Sequence, residues 1–319
     1  QRCIYWHFAL TRRPQGFKRS PMDPFEQKAN KYIAEAEKKL NSWSLFTPKA
    51  QKMEDAAELY SQAANSYKTG GDWKKSGDTY LKAGDMYEKS SSHEAANCYV
   101  EAGKAYKKVS AKDACDSYTK AIMLYVDKNR HSTAARLSKE IGEMFEKDAK
   151  YEEALKAFER AAQFYLASDQ PTNSNHQRLK VADLCVMVKE PDYKKAIKIY
   201  EQVARESLDT RMLRYSVKGY LFKAGLCSIA QAVHCSDTKG LADTIDKFKD
   251  LDPDFDGSLE CKFLEDLIPL VDEGDEKKFE KTVSAFNRKK KIDDWTVDIL
   301  LKVKGHLKKT VATDDLDIS

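Results

Sequence analysis

The sequence predicts an all-α protein: a right-handed solenoid of helical hairpins closed by a C-terminal helical bundle. Three observations lead there. A short word of small residues ending in an aromatic recurs about every 20 residues, as AANSY (63–67), AGDMY (83–87), AGKAY (102–106), AIMLY (121–125), IGEMF (141–145) and AAQFY (161–165). Within YEEALKAFERAAQFY, residues Tyr151, Leu155, Phe158, Ala162 and Tyr165 fall at i, i+4, i+7, i+11 and i+14, one stripe of an amphipathic helix. Gly (13) and Pro (8) are scarce in 319 residues, which leaves few breaks in long helical runs. A half-repeat of this length holds a helix of three to four turns and a short turn, and two make the pitch of about 40 residues of an α-solenoid.

Taken in order, residues 1–21 (QRCIYWHFALTRRPQGFKRSP) are basic and aromatic and unlike the rest of the chain. IYWHFAL is short for a signal peptide and lacks a small-residue cleavage site, so the expectation is an appended leader outside the fold, with Met22 as the natural start. A helix then begins in MDPFEQKANKYIAEAEKKL. It breaks at 41–49, where Trp43, Leu45 and Phe46 stand among Asn, Ser, Thr and Pro. Three large apolar side chains in a polar loop need a core, a partner or a membrane. The solenoid is expected over 22–232, with turns at TGGDW (69–73), SSSH (90–93), DKNRH (127–131) and ASDQPTNSN (167–175). In each word the small residues admit a neighbouring backbone, and the aromatic fills the gap between packed helices. Beyond 232 the words fade, and 233–312 reads as four helices bounded by Asp-Pro-Asp, Asp-Glu-Gly-Asp and Ile-Asp-Asp. An atypical terminal cap of this kind is what a solenoid requires. Residues 313–319 are an acidic tail.

Composition narrows the function. Lys and Arg total 55 against 51 acidic residues, so a net charge of +4 leaves no general excess for nucleic acid, and any basic function must be local. Seven scattered Cys without a C-x-x-C pair read as free thiols in a reducing compartment, and no apolar run is long enough to span a bilayer. DPDFDG (252–257) opens like a calcium loop, but its twelfth position is Phe263 where a bidentate Glu is required; it reads as a helix boundary. His234 and Cys235 lack a second ligand pair, and RKKKI (288–292) reads as a solvated helix end. No phosphate loop, nucleophile motif or apolar carboxylate pair is present, so the expectation is no enzyme, no cofactor and no metal.

The words AEAEKKL (34–40), AANCYVEAGKAYKK (95–108), YSVKGYLFKAGLC (215–227), LECKFLEDLI (259–268) and DDWTVDILLKVK (293–304), in this order, make a tetratricopeptide-like chain that resembles the alpha type of the soluble NSF attachment proteins from about Met22 to Ser319. The resemblance implies an adaptor in vesicle fusion and intracellular transport, cytoplasmic and peripherally associated with membranes. It is a monomer when free and binds in several copies to a SNARE four-helix bundle, where it recruits the hexameric ATPase NSF. SNARE bundles are acidic over much of their surface, so the resemblance places a basic face on the concave side of the solenoid. Its positions map to Arg130, Arg136, Lys180 and Lys218, with Lys107, Lys108, Lys74 and Lys75 as additions from neighbouring turns. One position basic in the family is His176 here, and Arg178 stands two residues away as a replacement charge. By the same resemblance, Asp314, Asp315 and Asp317 around Leu316 and the penultimate Ile318 engage the ATPase, and Trp43, Leu45 and Phe46 become the membrane contact.

A different class stays open on the residues alone. A helical-repeat chaperone adaptor that grips peptide tails would cluster Lys and Asn in one groove and would have no use for the apolar loop or the acidic tail.

Overall fold

The computed structural model describes residues 23–42 and 48–314, with side chains placed through Leu307. Every regular element among them is helical: α1 (Pro24–Asn41), α2 (Lys49–Thr69), α3 (Trp73–Tyr87), α4 (Ser92–Tyr106), α5 (Ala111–Asp127), α6 (His131–Lys147), α7 (Tyr151–Ala167), α8 (Pro171–Cys185), α9 (Tyr193–Leu208), α10 (Val217–Cys235), α11 (Leu241–Leu251), α12 (Leu259–Asp272), α13 (Glu276–Lys289) and α14 (Asp294–Asp314), with a 3-10 turn at Arg214–Ser216. Starts are capped by side chains that accept an orphan amide, as Asp23, Asp72, Ser91, Asp192, Ser258 and Asp275 do. The residues group into two compact units divided between Ser117 and Tyr118, inside α5.

The turn after each repeat word explains its spacing. After Tyr67, Tyr125, Phe145 and Tyr165 the chain passes through a left-handed residue, Gly71, Asn129, Ala149 and Asp169, with φ of 81°, 55°, 55° and 56°. The next amide, of Asp72, Arg130, Lys150 and Gln170, then donates back to the carbonyl of the word's own aromatic at 2.8–3.0 Å. This is the Schellman ending of a helix. After Tyr87 and Tyr106 no left-handed residue intervenes, and Ser91 and Ser110 donate directly to those carbonyls, each at 2.7 Å. That turn is one residue shorter. The aromatics at 67, 87, 106, 125, 145 and 165 therefore step by 20, 19, 19, 20 and 20.

Packing adds a second row, seven residues before each word's end. Tyr60, Tyr80, Tyr99, Tyr118, Ser138 and Phe158 are all 5% exposed or less. In the first unit the Tyr99 ring lies on Gly84, where a Cβ would come within 2.5 Å of it; in the second the Phe158 ring lies on Gly142, where a Cβ would come within 2.8 Å. The buried rings tie their hydroxyls to neighbouring helices: Tyr80 donates to Asn65 at 2.6 Å and Tyr99 to Asp85 at 2.7 Å. Burial raises the Tyr99 phenol, with Asp85 and Glu88 adding to the shift, so it stays a donor.

In the second unit the apolar core runs without interruption from Ala154 to Leu307, through residue 232 where the repeat words stop. The reason is α10, which is apolar nearly all round. Leu221, Ala224, Leu226, Cys227 and Ile229 are fully buried, because α10 packs against α9, α11, α12 and α14. A polar clip closes this packing. Lys223 reaches Asp183 at 2.6 Å beneath the Trp295 ring, 4.4 Å from its centroid, and Trp295 Nε1 donates to the Asp183 carbonyl at 3.1 Å. The four helices expected beyond 232 are present. α14 continues through Asp314, into the first residues of the stretch expected as tail, since no Gly or Pro interrupts it there.

Candidate partner-binding surface

The first unit carries Lys107, at the C-cap of α4, and Lys108, exposed beside it. Lys75 is held by Glu26 at 2.7 Å and Asp72 at 2.9 Å, hydrogen bonds that raise its ammonium well above the ordinary lysine range, and Lys74 stands 3.7 Å from Asp78. Both charges have intramolecular partners.

The second unit carries the others. Arg130 precedes α6, and its guanidinium lies 5.0 Å from the centroid of the Tyr125 ring, a cation–π contact that leaves the charge exposed. Arg136, on α6, is exposed and has no ion pair among the described residues. On α8, Lys180 bridges back to Glu146 of α6 at 2.8 Å, and Gln170, just before α8, bonds Ser132 of α6 at 3.0 Å. Such a half-exposed pair contributes only ~0–1 kcal/mol, and a competing carboxylate releases Lys180 at little cost.

Arg178 does not stand beside Lys180. Two residues apart on a helix are about 200° apart around its axis. The Arg178 guanidinium is turned to α9, where it donates to Glu206 at 2.9 Å and Gln202 at 2.8 Å, and also to Asn175 at 2.8 Å. Its charge is paired within the unit, on a different side of α8 from Lys180. His176 itself is exposed.

Lys218 sits in the first turn of α10, half-buried. Beside it the chain exposes residues that motif reading missed. Met212 and Tyr215 are each 81% exposed, interleaved with exposed Arg211 and Arg214. The signal was in RMLRY itself, an apolar pair between two arginines with a Tyr after them, where the helical period lapses.

The loop residues Trp43, Leu45 and Phe46 and the tail residues Asp315, Asp317 and Ile318 lie outside the described residues, as does the leader. Asp314 ends α14, and its side chain is outside them too. The calcium-like run is a turn between α11 and α12: Asp252 accepts the Asp254 amide at 3.2 Å, and Phe255 is fully buried. Among the described residues no group of three His, Cys, Asp or Glu is disposed to hold a metal ion, and no helix is long and apolar enough to cross a membrane. Of the described thiols, Cys98, Cys115, Cys185, Cys227 and Cys261 are buried and outside any disulfide; burial pushes Cys185 up to about 11.

The model of the family described as soluble NSF attachment protein, SNAP, matches residues 27–308. The alpha-soluble NSF attachment protein of Vitis vinifera is 38% identical over 292 residues, which cover 91% of this chain and 98% of that protein. The human alpha-soluble NSF attachment protein is 32% identical over 299 residues, 92% of this chain and 98% of that one. A probable vesicular-fusion protein sec17 homolog of Schizosaccharomyces pombe is 34% identical over 197 residues, 61% of this chain and 65% of that one. The family match runs from the first helix into the last, and the chain belongs to the soluble NSF attachment protein family.

Proposed function

We propose that this chain is an adaptor, not an enzyme, that binds assembled SNARE complexes and recruits and stimulates the NSF ATPase for their disassembly in vesicle fusion and intracellular transport. The observation that carries the reading is the match to proteins named for NSF attachment over nine-tenths of the chain. The exposed Arg136, with no ion pair among the described residues, and the Lys218 region with Met212 and Tyr215 support a basic face with apolar anchors. Arg130 and Lys180 extend that face along the same unit. In the other unit, Lys107 and Lys108 are candidates for the same partner.

Exposed charge contacts are individually weak and screened by salt, so binding is distributed over the face and salt-sensitive. The tail with Asp314, Asp315, Asp317 and Ile318 engages the ATPase, carboxylates meeting a basic groove and the aliphatic side chain a small pocket. Trp43, Leu45 and Phe46 supply a peripheral membrane contact. Roughly 1.5–3 kcal/mol for each buried side chain is marginal in one copy and sufficient when several copies coat one bundle. The protein acts in the cytoplasm, monomeric until it binds.

The test is disassembly of SNARE complexes by NSF and ATP with and without this chain; no stimulation by folded protein ends the reading. Arg136→Glu with Lys180→Glu abolishes SNARE-complex pull-down with unchanged circular dichroism, and undiminished binding at physiological salt refutes the face. Ile318→Ala lowers ATPase stimulation. Trp43→Ser with Leu45→Ser and Phe46→Ser spares disassembly of soluble bundles and reduces that of liposome-anchored ones; equal losses on both make the loop structural.

A further inference from the structure

A cluster of three rings brings three helix ends together in the second unit. Phe286 of α13 stacks on Phe263 of α12 with centroids 4.1 Å apart, and both meet Phe222 of α10, at 5.7 and 6.1 Å. Lys218 lies one turn before Phe222, Glu260 three residues before Phe263, and Lys290 four residues after Phe286. The Lys290 ammonium bonds the Glu260 carboxylate, which is only 13% exposed. Burial raises that carboxylate, but the Lys290 hydrogen bond, a backbone amide hydrogen bond and the charges of Lys290 and, least, Lys218 more than offset it. The run Arg288–Lys291, which as sequence reads only as a solvated helix end, thus shares an end of the helices with Lys218.

The run is also pinned. Lys290 leaves the helix in extended conformation, φ −142° and ψ 115°, with its amide on the Phe286 carbonyl at 2.8 Å. The Ile292 amide donates to Asn287 Oδ1 at 3.1 Å, and Asp293 accepts the Thr296 amide at 2.9 Å to start α14. Neighbouring side chains alternate in extended backbone, so with the half-exposed Lys290 side chain tied to Glu260, Lys291 points the other way. Arg288, Lys289 and Lys291 are exposed and have no ion pair among the described residues. Compensation of the α13 dipole accounts for cations in its last turn. It does not account for two more beyond the helix, or for a carboxylate shielded from water that holds one of them in place.

We propose that Arg288, Lys289 and Lys291 form with Lys218 a second basic docking element for the acidic surface of the SNARE bundle, with Lys290 as its strut. This rests on the adaptor reading above. Charge complementarity and continuity with Lys218 select that partner. Pinning favours it over lipid: anionic headgroups rearrange around any cation cluster, whereas carboxylates on a folded bundle stand at fixed positions and reward cations already held in place.

The experiment compares binding to a soluble SNARE bundle at low and physiological salt for three proteins. They are the natural chain, the variant Arg288→Gln, Lys289→Gln, Lys291→Gln, and a control of equal net charge, Lys247→Gln, Lys277→Gln, Lys281→Gln. At about two- to threefold per exposed contact, the turn variant binds roughly tenfold more weakly at low salt, with a shallower salt dependence, and the control binds as the natural chain does. If the triple variant loses helicity, Lys291→Gln alone carries the test, with a loss of about two- to threefold. Equal losses in turn variant and control reduce the effect to net charge and overturn the proposal. A turn variant that binds normally while Arg136→Glu with Lys180→Glu does not overturns it and leaves the adaptor reading standing. A natural chain that binds no bundle overturns both. Retained bundle binding with lost adsorption to phosphatidylserine vesicles assigns the turn to lipid instead, and also overturns it.

Discussion

Gly142→Ala isolates what the repeat word does. In an open helix this change stabilises, by ~1 kcal/mol, because Ala is the better helix former. Here a Cβ on Gly142 would lie 2.8 Å from Cε1 and 2.9 Å from Cδ1 and Cζ of Phe158, a ring 1% exposed. Carbon atoms pack best about 3.5–4.0 Å apart, so the ring or the helix must retreat by most of an ångström. Overpacking of this kind costs about 1–3 kcal/mol and outweighs the helical gain, for a net destabilisation of up to ~2 kcal/mol. The assay is a double-mutant cycle in urea with Phe158→Leu, monitored by far-UV circular dichroism. With the shorter Leu in place the methyl fits, and Gly142→Ala then stabilises by up to ~1 kcal/mol. A midpoint that rises on Gly142→Ala in the otherwise natural chain, or the same shift in both backgrounds, refutes the close ring-on-glycine packing.

The geometry sets three more outcomes. Lys223→Met leaves Asp183 to the Tyr200 hydroxyl and the Trp295 ring without its cation; at about a quarter exposure for each charged partner the cost is ~1–3 kcal/mol, with a change in Trp295 emission, and an unchanged urea midpoint rules the clip out. Burial raises the Glu101 carboxyl, but hydrogen bonds from Lys104 and Lys68 hold it below the ordinary value of 4.5. Its stabilisation is therefore present above that pH and lost as pH falls through the lowered value, so Glu101→Gln flattens the acid limb of a Tm-against-pH profile, and an identical limb refutes the assignment. Ala149 closes its helix at φ 55°, where a Cβ costs ~1–2 kcal/mol. Less the entropy a glycine returns to the unfolded chain, Ala149→Gly raises stability by about 0.5–1 kcal/mol, and a lower Tm refutes the left-handed turn.

Much of the fold was legible because local rules carry it. The words, the stripe at Tyr151–Tyr165 and the turn signals all report periodicity within one helix and its cap. The row at Tyr60, Tyr80, Tyr99, Tyr118 and Phe158 recurs just as regularly, but which of two aromatic rows is the more buried depends on the neighbouring helix. The candidate surface was legible only as residue types. Arg136 and Lys180 as letters carry the same charge, yet one has no ion pair among the described residues and the other rests on Glu146, 34 residues away. Arg178 was legible as a cation near His176; its commitment to Glu206 and Gln202 was not, because those partners lie on another helix.

By itself the sequence determined the helical class, the step of about 20 residues and the family. Each of these is written in small-residue spacing, capping chemistry and the order of words along the chain. Tertiary structure alone decided which charges remain available and which are neutralised at home. It also carried the core through residue 232, and it brought Lys218, Glu260 and Lys290 to one end around Phe222, Phe263 and Phe286. The physical reason is range: periodicity and capping act within about one turn of helix, whereas an ion pair or a stacked ring joins residues that only the packing of separate helices makes neighbours.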